Sequence, residues 1–153
     1  MERKQSEIET LDSRRMRYLE LYLIGVSVFL VLSITRYFFR FGNLNARPIG
    51  IAVLAGLILS LGLMGFSTIQ TAAFRREIKD DPALMDALNN ELVQALERKS
   101  WKAAYFGAIG TTVFFAAVWF FYPVSDPVLV ALTSIIAGAG AYHATFYVQY
   151  RSS

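Results

Sequence analysis

IGIAVLAGLILSLGLMGFSTI, residues 49–69, runs for 21 positions without a charged side chain. As an α-helix rising 1.5 Å per residue it is about 32 Å long, which matches a hydrocarbon layer of roughly 30 Å. The stretch reads as a membrane span. Three further apolar blocks of similar length flank it, and the four spans are expected at about residues 18–39, 49–72, 101–122 and 128–149. Arg36 is the one awkward charge, and its place at the end of the first block lets a long side chain reach the headgroups.

Composition agrees with this reading. The chain has 153 residues, 55% hydrophobic and 18% charged, with a mean hydropathy of +0.41. A soluble domain of this size carries about 45–50% apolar and about 25% charged residues. The expected fold is therefore an all-α integral membrane protein, one domain whose four transmembrane helices form two tandem hairpins. The absence of cysteine excludes disulfides, thiolate chemistry and Cys-ligated metals. A single histidine excludes a two-histidine metal or haem site within one chain.

Orientation follows from the basic residues. Twelve Lys and Arg flank one side of the spans: Arg3, Lys4, Arg14, Arg15 and Arg17 before the first, six between the second and third, and Arg151 at the end. Arg36, Arg40 and Arg47 alone fall on the other side. The positive-inside rule puts both termini and the central segment in the cytoplasm, with a bacterial inner membrane as the expected location. The net charge of +3 is then a topology signal, and no nucleic-acid partner is expected. The first block lacks a small-residue cleavage site after its apolar core, so an uncleaved anchor is expected. Aromatic clusters mark both boundaries and read as interface anchors: Tyr37 to Phe39 and Trp119 to Tyr122 on the outside, and Tyr18, Tyr22, Trp101, Tyr105, Tyr147 and Tyr150 on the inside.

Five of these positions recur at a fixed interval. Arg15, Tyr18, Tyr22, Phe38 and Phe39 each precede Arg98, Trp101, Tyr105, Phe121 and Tyr122 by 83 residues. The pattern fits a parallel duplication of a helical hairpin and a pseudo-two-fold bundle, although anchoring pressure alone yields the same residue types.

Two polar helices extend the spans. Ser6–Glu9 fits an S-x-x-E capping box, so a helix starting there runs into span one. Asp81-Pro82 opens a second, amphipathic helix over about residues 82–99, with Leu84, Leu88, Leu92 and Leu96 at four-residue spacing. No Gly or Pro separates it from span three, so Pro82–Tyr122 is expected as one helix, on the order of 60 Å long. The leucine stripe has three candidate uses: packing on the helical extensions of spans one and two, a partner or self-association surface, or lying on the membrane. The low Lys and Arg content of its polar face disfavours the last.

Small residues recur every four positions within the spans, as in Gly56 with Ser60, Gly107 with Thr111, Ser134 with Gly138, and Ala137 with Ala141. Such rows let membrane helices approach closely, within the chain or across a homodimer. Ionisable groups inside the spans are few, so His143 stands out, about 10 Å from the inner boundary, with Glu20, Tyr142 and Tyr147 nearby in depth. Three uses fit this placement: a structural imidazole bonded to a carbonyl, a hydroxyl or Glu20; a proton-sensing or substrate-contacting group; or a ligand to a haem or other pigment, which needs a second axial ligand from another chain or a five-coordinate iron.

No phosphate-binding loop, zinc-protease helix or nucleophile elbow is present. No catalytic, cofactor-binding or metal-binding residues are expected, and no cofactor. The partners expected are the lipid bilayer and either a second copy or a larger membrane complex. The leading expectation is a non-enzymatic accessory, scaffold or regulatory component acting through helix–helix association. The alternative is a small dimeric transporter or channel for an ion or small solute.

Overall fold

The computed structural model describes residues 2–41, 47–79, 91–121 and 127–152, which form four α-helices: α1 (Glu2–Phe41), α2 (Arg47–Lys79), α3 (Glu91–Trp119) and α4 (Pro127–Arg151). Each contains a segment long and apolar enough to cross a membrane, over Glu9–Tyr37, Ile49–Phe74, Val93–Trp119 and Pro127–Arg151. No strand occurs among the described residues.

α1 is unbroken for 40 residues because neither Gly nor Pro occurs between residues 2 and 24. It starts at Glu2, so Ser6–Glu9 lies inside the helix and does not cap it. α3 likewise passes from its polar first turns into the apolar span without a break. The earlier part of the expected amphipathic helix, with Leu84 and Leu88, lies outside the described residues, as does the side chain of Leu92.

The extensive contacts join α1 to α2, α3 to α4, and α1 to α4. In the first pair Tyr18 meets Ser67, Gly25 meets Ser60 and Met64, and Leu32 meets Gly56, so the helices run antiparallel. In the second, Trp101 meets Tyr142, Gly107 meets Ala141, and Thr112 donates to Ser134 at 3.1 Å, again antiparallel. Across the centre Asp12 meets Tyr150, Tyr22 meets His143 and Val26 meets Gly140. The start of α1 and the end of α4 therefore lie at one end, with the end of α2 and the start of α3. This is the basic end.

The helices thus pack in the order α2, α1, α4, α3. A pseudo-two-fold bundle calls for a contact between α2 and α3 that mirrors the one between α1 and α4. No contact of that extent joins α2 to α3 among the described residues. The small residues explain the pairing. A Cβ on Gly138 would lie 3.0 Å from both the Ala104 carbonyl oxygen and the Ala108 Cβ, and one on Gly107 would lie 2.8 Å from the Ala141 Cβ. α3 and α4 are in backbone contact there, which only small residues permit. Gly56 accommodates Leu32, and Ser60 is buried with its hydroxyl donating to the Leu57 carbonyl at 2.8 Å.

Mid-span, Val26 and Phe29 of α1 pack with Leu57 and Met64 of α2 and Ile136 of α4. At the basic end Val93 and Leu96 of α3 pack on Phe146, with Leu19 and Tyr150 against them. Leu96 is thus enclosed by its own chain. Tyr37, read as an outer anchor, is also enclosed, its ring 5.1 Å from that of Phe115. Trp119, Phe120 and Phe121 are exposed, which suits a boundary position.

Candidate functional site

A cavity of about 250 Å3 opens between the helices at the basic end. All four helices contribute to its wall. α1 supplies Arg15, Tyr18 and Tyr22, one helical turn apart. α2 supplies Ser67, Thr68 and Thr71, and these short side chains leave the space that larger ones would fill. α4 supplies Tyr142, His143 and Phe146, and α3 supplies Glu97.

Part of the lining is aromatic. The Tyr22 and His143 rings lie 4.3 Å apart, tilted by 60°. Tyr142 meets His143 edge-on at 5.0 Å and Trp101 at 5.3 Å. Offset and edge contacts of this kind are the favoured aromatic geometries.

The three hydroxyls of the α2 wall all give their protons to backbone carbonyls. Ser67 donates across to Tyr18, Thr68 to Met64 at 2.9 Å and Thr71 to Ser67 at 2.9 Å. The lone pairs that remain make this wall an acceptor surface. On the α1 side the Arg15 guanidinium stands 5.0 Å from the centroid of the Phe146 ring and 5.6 Å from that of Tyr150. Those rings are nearly parallel, at 13°. Both rings are within cation–π reach of the guanidinium. Arg15 and Glu97, of opposite charge, both line the cavity, and among the described residues no ion pair joins them.

Beside the cavity two polar clasps tie α1 to the last turns of α4. Tyr150 donates to Asp12 Oδ1 at 2.8 Å. Tyr147 donates to Glu20 Oε1 at 2.7 Å and accepts from Arg151 Nη1 at 2.8 Å. A hydrogen bond to a carboxylate is among the stronger kinds, so each clasp fixes the approach of the two helices.

The four polar residues singled out in the sequence therefore fall into two groups. His143 and Tyr142 line the cavity, whereas Glu20 and Tyr147 form a clasp with Arg151. Of the leucine stripe, only the Leu96 side chain falls within the described residues, and it is buried. Of the packing residues, Gly107, Gly138 and Ala141 lie in the α3–α4 contact, and Gly56 lies in the contact of α1 with α2.

Sequence reasoning alone does not pick out Arg15, Tyr18, Ser67, Thr71 and Glu97 as cavity residues. The first two read as boundary residues and Glu97 as solvated charge. Arg15, Tyr18 and Tyr22 on successive turns, with Ser67 and Thr71 at four-residue spacing, are the signal that could find them. Among the described residues no three His, Asp or Glu side chains gather at metal-binding distance. No family model matches the chain, and neither a curated protein nor a solved structure matches it.

Proposed function

We propose that this chain is a multi-pass protein of a bacterial inner membrane, with both termini in the cytoplasm, and that it serves as a non-enzymatic accessory, scaffold or regulatory component. It acts through helix–helix association with a second copy or a larger membrane complex. The basic flanks support the orientation. The observation that carries the association reading is the exposure of α3. In the most apolar window of its span 6% of residues are buried, against 33% for α4. The least covered span thus continues directly from the segment that carries Leu84, Leu88 and Leu92. Since Leu96 packs internally, the association surface is the part of the stripe before it.

A second reading, a small dimeric transporter or channel, draws on the cavity to which all four helices contribute polar side chains. One preparation tests both. Leu88→Glu with Leu92→Glu should abolish higher-order assembly in mild detergent while leaving helix content intact. Unchanged assembly overturns the association reading. The same protein in liposomes should show solute flux, with a pH dependence altered by His143→Ala, if the second reading holds; absence of flux ends it.

A further inference from the structure

The cavity separates its charges by helix. The donor side is α1, where the Arg15 guanidinium lines the cavity beside the Phe146 and Tyr150 rings and carries only N–H donors. The acceptor side is the α2 wall, whose hydroxyl protons are all spent on carbonyls, together with the Glu97 carboxylate of α3. A simple anion satisfies only the first side. A simple cation satisfies only the second and meets the Arg15 charge. A neutral apolar group leaves both unpaired in a confined space, which is costly.

The complementary ligand carries both charges. We propose that the cavity binds a zwitterion in which an anionic group and a primary ammonium are joined by a short linker. The anion takes the N–H groups of Arg15, and the ammonium donates its three protons to Glu97 and the hydroxyls of Thr68 and Thr71. An ammonium has three donors and no acceptor, which suits a wall of acceptors. The volume is adequate: about 250 Å3 holds about eight groups of water size at ~30 Å3 each, close to the non-hydrogen atom count of phosphoethanolamine. The aromatic lining covers the linker.

Two sources present this chemistry. One is the headgroup of an ethanolamine phospholipid, held where the spans reach the polar boundary of the bilayer. The other is a free small zwitterion such as an amino acid. The inference takes from the proposed function only that the helices cross a membrane, and it is independent of what the leucine stripe does.

The test uses the full chain in dodecyl maltoside, titrated with dihexanoyl phosphatidylethanolamine, phosphatidylcholine and phosphatidylglycerol, and with free phosphoethanolamine and phenylalanine. Phosphatidylethanolamine should bind saturably and at least about tenfold more tightly than phosphatidylglycerol, which lacks the ammonium, or phosphatidylcholine, whose ammonium has no N–H. Arg15→Gln and Glu97→Gln should each weaken it about tenfold, and Glu97→Gln should leave phosphatidylglycerol unaffected. Thr71→Val keeps the shape of the wall and removes one acceptor. It should weaken phosphatidylethanolamine by several-fold without changing the melting temperature of the unliganded protein, so the proposal stays testable if either charge variant fails to fold. Binding of the free zwitterions as tightly as the lipid identifies a soluble ligand, and binding of the lipid alone identifies a headgroup. Equal binding of phosphatidylethanolamine and phosphatidylglycerol, no binding by any probe, or an unchanged affinity in Thr71→Val overturns the proposal.

Discussion

α1 and α3 share residues at an interval of 83, yet their surroundings differ. Val26 and Phe29 of α1 are 4% and 2% exposed, whereas Ile109, which stands 83 residues after Val26, is 42% exposed. Tyr22 packs on His143, while its counterpart Tyr105 is 63% exposed. α1 has a helix on each side, α2 and α4, whereas the extensive contacts of α3 are with α4 alone. Matching aromatic and basic residues at the ends of two spans therefore report a common boundary and not a common neighbourhood. A residue facing lipid and one facing another helix are both apolar in a membrane, so the pattern of end residues carries no information on which is which.

Three comparisons sharpen the contrast between covered and uncovered faces. The largest effect is expected for Gly138→Leu, which would drive a side chain into the Ala104 carbonyl and Ala108 of α3. Backbone does not yield easily, so a loss of about 3 kcal/mol, or failure to fold, is expected in reversible unfolding in micelles. Gly110→Leu on the open side of α3, where an added Cβ meets nothing within 4 Å, should stay within about 0.5 kcal/mol. Equal effects from the two would break the comparison.

Truncation of apolar side chains comes next. Phe29→Ala should cost about 2 kcal/mol in the same assay. That is below the roughly 3–5 of a water-soluble core, since lipid is as apolar as the helix contact it replaces. Ile109→Ala should be nearly silent, and a penalty as large as that of Phe29→Ala would mean that α3 is covered in the micelle by a second molecule.

The smallest effect belongs to the clasps. Tyr147→Phe removes two exposed hydrogen bonds, the one given to Glu20 and the one accepted from Arg151, and should cost about 1 kcal/mol. Tyr105→Phe should cost nothing measurable. Loosening of the α1–α4 approach in Tyr147→Phe can be read independently as faster amide exchange in the last turns of α4.

Much of this architecture is legible in the amino-acid sequence. The four spans follow from length and hydropathy, and the fusion of polar turns to spans one and three follows from the lack of Gly and Pro. Gly56, Gly107 and Gly138 can be named because close approach demands small side chains. The cavity is not legible in the same way. Its wall draws a few residues from each of four helices, and helical periodicity says which residues share a face but not which helix lies opposite. His143 stands out by its rarity, while Arg15 and Glu97 are hidden among cytoplasm-type charges. The clasps are half legible: Glu20 and Tyr147 stand out by their depth but not as partners of each other, and Asp12 looks like ordinary charge patterning until Tyr150 is found beside it.

The unbroken course of α1 has a mechanical consequence. A helix without Gly or Pro over residues 2–24 behaves as a rod, and the first glycine, Gly25, sits in the contact with Met64 and Ser60. On the cavity side of that contact the rod is tied down at three places, by Ser67 at Tyr18 and by Tyr150 and Tyr147 at Asp12 and Glu20. A stiff helix held at those points carries Arg15 with it, so the width of the cavity is set by the stiffness of α1 and not by Arg15 alone.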